Sequence, residues 1–150
     1  MFRVSVPVKR MARSAGMALP SYAHEGDAGM DLRAAVEEPV IIAPGENALI
    51  PCGFSMAIPM GFQAEIRSRS GLAFKNKVVS ANSPGTIDAG YRDEIRVILR
   101  NEGDTPFVVE RGNRIAQMVF MPVVTGEWTE VEELDDTVRG KGGFGSTGVR

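Results

Sequence analysis

Apolar residues in this chain recur mostly at every second position and in short runs. Near the start, Phe2, Val4, Val6 and Val8 alternate with Arg3, Ser5, Pro7 and Lys9. A period of two marks a strand, and Pro7 opposes a helix. The opening is therefore read as a mature N-terminal edge strand and not as a transit peptide, although residues 1–24 carry four basic residues and no acid. Further on, Phe62, Ala64 and Ile66 alternate with Gln63, Glu65 and Arg67. Brief β-prone runs cover Val40–Ile42, Ala48–Ile50, Phe54–Ile58, Val78–Val79, Thr86–Ile87, Ile95–Leu99, Phe107–Val109, Ile115–Val124 and Trp128–Val131. Gly/Pro punctuation such as Pro44-Gly45, Pro51 and Pro59-Met-Gly61 separates them. Many short strands, with no sustained helical period, predict an all-β sandwich or jelly roll. One short helix is expected around Ser70–Phe74, and there is no internal repeat and no linker before the tail.

The densest punctuation lies at Asn82-Ser-Pro-Gly-Thr-Ile-Asp-Ala-Gly-Tyr-Arg-Asp-Glu94. Pro84-Gly85 turns the chain, Thr86-Ile87 reads as a short strand, and Ala89-Gly90 turns it again. Asp88 is left at a strand end on a tight bend, with Tyr91 just beyond. There it is either a turn cap or, being rigidly placed and open to substrate, a general base or metal ligand. The tail, Arg139-Gly-Lys-Gly-Gly-Phe-Gly-Ser-Thr-Gly148, holds five glycines in ten residues. Ordering so much glycine is entropically costly. It reads as a loose terminus or as an arm that folds over a ligand, bringing Arg139 and the Ser146 and Thr147 hydroxyls to phosphate. It is not a P-loop, because Lys141 stands in no Gly-Lys-Ser/Thr triplet. These features divide the chain into a β domain over 1–138 and an arm over 139–150.

Composition narrows the chemistry. With 150 residues, 43% of them hydrophobic and 24% charged, the chain is one ordinary globular domain. A net charge of −2 argues against nucleic acid as the main partner. The apolar runs are too short to span a bilayer, and a cytoplasmic location is expected. Cys52 is the only cysteine and His24 the only histidine, which excludes an internal disulfide, a thiolate cluster and a multi-histidine metal site. Cys52 reads as a small core hydrophobe and His24 as a surface residue. Catalysis would have to use Asp, Glu, Arg, Ser, Tyr and Gln, which points to a hard cation bound partly through substrate.

Three further stretches are polar for their surroundings. Asp31, within Ala28-Gly-Met-Asp-Leu-Arg-Ala-Ala35, reads as a turn aspartate. Arg67-Ser-Arg-Ser-Gly-Leu-Ala73 is either a solvated basic turn or an oxyanion site, where guanidinium forks and glycine amides converge. Gln117, in Arg114-Ile-Ala-Gln-Met118, sits between apolar neighbours in a core strand and must be paired, as a strut or as a ligand donor.

Together, Ala28–Ala35, Arg67–Ala73, Gly85–Glu94, Arg114–Met118 and Arg139–Gly148 resemble, in order, the five motifs of the trimeric dUTP diphosphatase (dUTPase) family, with the typical Leu19-Pro-Ser-Tyr-Ala23 ahead of the first. The resemblance spans nearly the whole chain. It implies a jelly-roll-like (β-clip) homotrimer whose three sites are each shared between subunits. The implied reaction is hydrolysis of dUTP to dUMP and pyrophosphate with Mg²⁺ on the triphosphate, which limits dUTP incorporation into DNA and supplies dUMP for dTMP synthesis. By the same resemblance Asp88 is the base and Asp31 positions the metal through water. Arg69, Ser70, Gly71 and Gln117 meet the triphosphate. Arg139, Ser146 and Thr147 come from the arm to the γ-phosphate, Phe144 lies over the uracil, and Gly145 is a further substrate-binding residue of the arm. Asn82 and the backbone of Gly85, Thr86 and Ile87 read the base, while Tyr91 excludes a ribose 2′-hydroxyl. One position departs: the family usually has glycine where this chain has Asp93, which could pair with Arg92 or Arg96 or change the hairpin exit. Two other readings compete, a dCTP deaminase of similar fold and a non-catalytic trimeric nucleotide-binding module.

Overall fold

The computed structural model describes residues 3–149. Eleven strands and one helix are assigned among them, in chain order β1 (Val8–Arg10), β2 (Gly29–Arg33), β3 (Val40–Ile42), β4 (Asn47–Pro51), β5 (Phe54–Met56), β6 (Phe62–Arg67), α1 (Ser70–Asn76), β7 (Val78–Ser80), β8 (Gly85–Ile87), β9 (Arg96–Asn101), β10 (Phe107–Val109) and β11 (Arg114–Pro122). A single 3-10 turn, Ala12–Ser14, follows β1. The strands form four antiparallel groups: β2-β11-β6-β8, β4-β9-β7, β1-β5 and β10-β3.

Alternation in sequence becomes alternation in burial. In β9, Val97, Leu99 and Asn101 are buried while Arg96 is exposed. In β6, Ala64 and Ile66 face the core. Leu32, Ile42, Ile50, Ile95, Leu99, Ile115, Val78, Val97 and Val109 are fully buried, joining strands from all the larger sheets in one core. Asn101 is the polar exception. Its Nδ2 donates to the carbonyls of Ile42 (2.9 Å) and Thr105 (2.8 Å), and its Oδ1 accepts from the Gly103 amide (2.9 Å). A buried amide so satisfied is stable, and it fixes the loop after β9.

Four expectations are corrected. The N-terminal strand is shorter and later, Val8–Arg10, pairing with β5; Phe2 lies outside the described residues. Pro7 has no amide to donate, yet its carbonyl still accepts from Ala57 (2.9 Å). Asp31 lies within strand β2, opposite Gln117 of β11, and not on a turn. Residues Trp128–Val131 form no strand, and Trp128 is fully exposed, because no strand among the described residues pairs with them. The strand expected over Ile115–Val124 begins one residue earlier and stops at Pro122. The helix appears where expected but runs on to Asn76, ending at Lys77 in the left-handed conformation (φ +55°).

Candidate active site

Strand β8 pairs with β6 through Ala64↔Ile87, Glu65↔Thr86 and Ile66↔Gly85. This fixes the hairpin start, and Asp88 follows directly at the strand end, exposed. The Tyr91 amide donates to the Asp88 carbonyl (3.1 Å), closing the bend. Arg92 reinforces it by donating to the carbonyls of Ala89 (2.6 Å) and Tyr91 (2.9 Å). Beyond the bend, the Tyr91 hydroxyl donates to the Glu94 carbonyl (2.9 Å). The unusual Asp93 accepts from the Glu94 amide (2.7 Å) and lies 3.9 Å from Arg96. It therefore caps the exit of the bend, pairs loosely with Arg96, and leaves Asp88 and Tyr91 in their places.

This hairpin walls a cavity of about 320 Å³ lined by Leu49, Ile66, Ser80, Asn82, Gly85, Thr86, Ile87, Asp88, Tyr91, Ile95, Arg96, Val97 and Ile98. Leu49, Ile66, Ile87, Ile95, Val97 and Ile98 give it apolar walls, and Ser80, Asn82, Thr86, Asp88, Tyr91 and Arg96 add polar groups, a mixture that small-molecule sites use. Glycine is required at Gly85, since a Cβ there would meet Asn82 Nδ2 at 3.1 Å and the Asn82 carbonyl at 3.2 Å. The sequence reading named Asn82, Gly85, Thr86, Ile87, Asp88 and Tyr91, and all six line this one cavity.

A second cluster forms where β2 meets β11. Asp31 is bound by Arg69 Nε (2.9 Å) and Arg114 Nη1 (3.2 Å), and Arg69 Nη1 donates to the Arg114 carbonyl (3.2 Å). Gln117 is opposite both Asp31 and Arg67 in the strand register. It is half-buried, and its Nε2 donates to the Ser68 carbonyl (3.1 Å). A Cβ on Gly29 would stand 2.6 Å from Gln117 Oε1, so that glycine leaves room for the amide. Ser70 and Gly71 lie exposed at the start of α1, just past Arg69. The two clusters are linked through Ser68, whose hydroxyl accepts from the Ser80 amide (2.9 Å) and whose amide donates to Ser83 Oγ (3.3 Å). Sequence reasoning missed Arg114 as a partner of Asp31 and missed Ser68. Their roles depend on strand register and on loop contacts that no local pattern encodes.

The donor set bears on a metal. Both Asp31 carboxylate oxygens face guanidinium groups. Among the described residues no group of three or more His, Cys, Asp or Glu side chains could hold an ion.

Arg139, Phe144, Gly145, Ser146 and Thr147 do not line the hairpin cavity. Arg139 Nε donates to the Gly142 carbonyl (3.0 Å), and successive turns close from Gly140 to Thr137 (3.0 Å), Ser146 to Gly143 (3.0 Å) and Gly148 to Gly145 (2.9 Å). These bonds lie within residues 137–148, and Phe144 is exposed at φ +49°. Cys52 is the buried hydrophobe expected: burial pushes its thiol up to about 12, with the Glu94 carboxylate adding to the shift.

The dUTPase family pattern matches residues 15–148. The deoxyuridine 5′-triphosphate nucleotidohydrolase of Rhizobium rhizogenes is 53% identical over 149 residues, covering 98% of this chain and 96% of its own. That of Maricaulis maris is 53% identical with both chains covered completely. The dUTPase of Staphylococcus bacteriophage 80alpha, solved with dUpNHpp, superposes with a TM-score of 0.87 at 29% identity, covering 97% of this chain and 99% of its own. A dUTPase mutant from phage phi11 of S. aureus, whose structure concerns coordination of a structural Mg(II) ion, gives 0.76 at 26% identity, covering 87% and 98%. The strands, the single short helix and these likenesses agree on a jelly-roll-like fold, and the chain belongs to the dUTPase family of hydrolases.

Proposed function

We propose that this family member hydrolyses dUTP to dUMP and pyrophosphate by attack of water on the α-phosphorus, with Asp88 as general base. The observation that carries the reading is the single cavity in which Asp88, Asn82, Tyr91 and the β8 backbone meet. Its volume of about 320 Å³ suits a nucleoside. Backbone groups of Gly85, Thr86 and Ile87, with Asn82, read the uracil edge, and the Tyr91 ring leaves no space for a 2′-hydroxyl. Asp88, exposed at the rim on a bend closed by three hydrogen bonds, holds its carboxylate open to water.

The triphosphate reaches the second cluster, where Arg69, Ser70, Gly71 and Gln117 supply charge and donors. Mg²⁺ enters on the triphosphate as part of the substrate and withdraws charge from its oxygens; Asp31, already held by two arginines, meets it through water. The arm brings Arg139, Ser146 and Thr147 to the γ-phosphate and lays Phe144 and Gly145 over the base. Residues 139–150 thus act as a closing arm on a β domain of 1–138.

The lining of the hairpin cavity includes none of Asp31, Arg69, Gln117 or Arg139. This favours a homotrimer in which each site takes its hairpin, phosphate groups and arm from different subunits. Val124, Trp128, Leu134 and Val138, exposed singly along an otherwise acidic segment, are side chains that a neighbouring copy would cover in the same arrangement. No helix among the described residues is long and apolar enough to cross a membrane, and we place the protein in the cytoplasm with neither membrane nor nucleic acid as partner. The test is pyrophosphate release with Mg²⁺ from dUTP, dCTP, dTTP and UTP, with ammonia assayed in parallel. Release from dUTP alone is expected. Ammonia from dCTP would assign the deaminase reaction, and tight dUTP binding without either product would leave a binding module.

A further inference from the structure

Glu94 is almost fully buried at the hairpin exit, and its carboxylate has partners from two distant segments and from its neighbour Arg96. Its Oε1 accepts from the Gly53 amide (3.0 Å) and lies 3.2 Å from Arg13 Nε; its Oε2 lies 3.6 Å from Arg96 Nε. Gly53 is locked in turn. It adopts φ +77°, a Cβ there would stand 2.4 Å from Ser14 Cβ, and its carbonyl accepts from Ser14 Oγ (2.6 Å) and the Met11 amide (2.9 Å). Arg111 holds the same turn by donating to the carbonyls of Arg13 (2.7 Å) and Ala15 (3.0 Å). The carboxylate thus ties the hairpin exit to a rigid knot formed by the 3-10 turn and Gly53.

The backbone carbonyl of the same residue receives the Tyr91 hydroxyl (2.9 Å), and the Tyr91 ring walls the cavity. We propose that Glu94 is a positioning residue for sugar discrimination: its buried carboxylate fixes the carbonyl that holds the Tyr91 hydroxyl, and so fixes the ring against the sugar. The inference rests on the reading of Tyr91 as the group that excludes a 2′-hydroxyl. A ring tethered at both ends excludes an extra oxygen by contact, whereas a ring tethered only at its Cα can yield to it. Main-chain bonds from Cys52 to Ile95 (2.9 Å) and from Ile95 to Phe54 (2.8 Å) hold the next residue. The Ile95 amide shares a peptide plane with the Glu94 carbonyl, so its bond to Phe54 holds that plane from one side while the Glu94 carboxylate anchors the adjoining Cα from the other.

The experiment measures kcat/KM for dUTP and UTP in the full-length protein carrying Glu94→Gln, Tyr91→Phe, both together, Tyr91→Ala and Arg13→Met. Glu94→Gln keeps the shape and one acceptor but removes the charge. The ratio favouring dUTP should fall about tenfold, the effect of roughly one hydrogen bond, with the change carried by a lower KM for UTP. Tyr91→Phe should give a similar fall, and the double variant should equal either single one, because both cut the same tether. Should Glu94→Gln fail to assemble, Arg13→Met applies the same test through a partner outside the cavity. A lowered unfolding midpoint with an unchanged ratio would show Glu94 to be structural and overturn the inference, as would additive effects. If Tyr91→Ala itself leaves the ratio unchanged, the reading of Tyr91 falls, and the inference with it.

Discussion

Replacing Gly29 with alanine tests whether Gln117 is a ligand donor or only a strut. Gly29 is not in the positive-φ region, so alanine costs nothing in backbone conformation. Its Cβ would lie 3.6 Å from Val119 Cγ2, an ordinary contact, but 2.6 Å from Gln117 Oε1. Ordinary contact begins near 3.4 Å, so the amide must retreat by about 0.8 Å. Its hydrogen bond to the Ser68 carbonyl, 3.1 Å long, then passes the limit of a useful bond. A neutral hydrogen bond contributes about 0.5–1.5 kcal/mol, which converts to roughly a two- to tenfold effect. With Gln117 on the triphosphate, kcat/KM for dUTP should fall by about that factor, mainly through KM. The same bond loss should lower the unfolding midpoint by no more than about 6 °C. The assay is steady-state pyrophosphate release beside a thermal melt. Unchanged kcat/KM in both Gly29→Ala and Gln117→Ala would remove Gln117 from the substrate site. A collapse in the melt would show that the strand does not accommodate the methyl.

Asp88→Asn preserves the bend, which is closed through backbone carbonyls, and should bind dUTP nearly as well while losing at least about a hundredfold in kcat, the usual contribution of a general base; turnover at the wild-type rate would remove Asp88 from that role. Truncation after Thr137 removes an arm whose turns close within residues 137–148, so light scattering should find the same assembly as the full chain while activity is crippled; a monomeric or unfolded product would refute that division. Ser80 Oγ is buried without a partner among the described residues. Ser80→Ala should therefore raise stability by about 1 kcal/mol, or about 2–4 °C in Tm, and a lower Tm would mean the hydroxyl has a partner in the working protein.

What was legible in the sequence was local. The alternation of Phe62–Arg67 gave β6, and the bend at Ala89-Gly90 put Asp88 at a strand end, because such features depend on neighbours within a few residues. Asp31 was misread because the small residues around it suggest a turn, whereas pairing with β11, more than eighty residues on, makes the segment a strand. Arg114 and Glu94 were missed for the same reason. An arginine opening a strand and a glutamate leaving a hairpin both read as surface charge, and only the fold brings Asp31 to the first and Gly53 to the second. Trp128–Val131 failed in the opposite direction: its local β propensity is real, but a strand needs an edge to pair with.

The three groups of the proposed site differ in stiffness, and the difference has a use. Asp88 is held by a paired strand and a closed bend, so it needs no ordering when substrate arrives. The Asp31 cluster is also preformed, its charges neutralising one another across the β2–β11 seam. The arm alone must be brought to the ligand, and fixing a residue's backbone costs roughly 1–2 kcal/mol. Its internal turns already bear part of that cost, yet a single Arg139–phosphate contact, worth about 1.5–3 kcal/mol, cannot supply the remainder. Closure therefore needs Arg139, Ser146 and Thr147 on the γ-phosphate together with Phe144 over the base. A nucleoside diphosphate lacks the terminal group and should leave the arm open. On the proposed reading, the γ-phosphate departs with pyrophosphate after cleavage, the same contacts would be lost, and the arm would open to release the product.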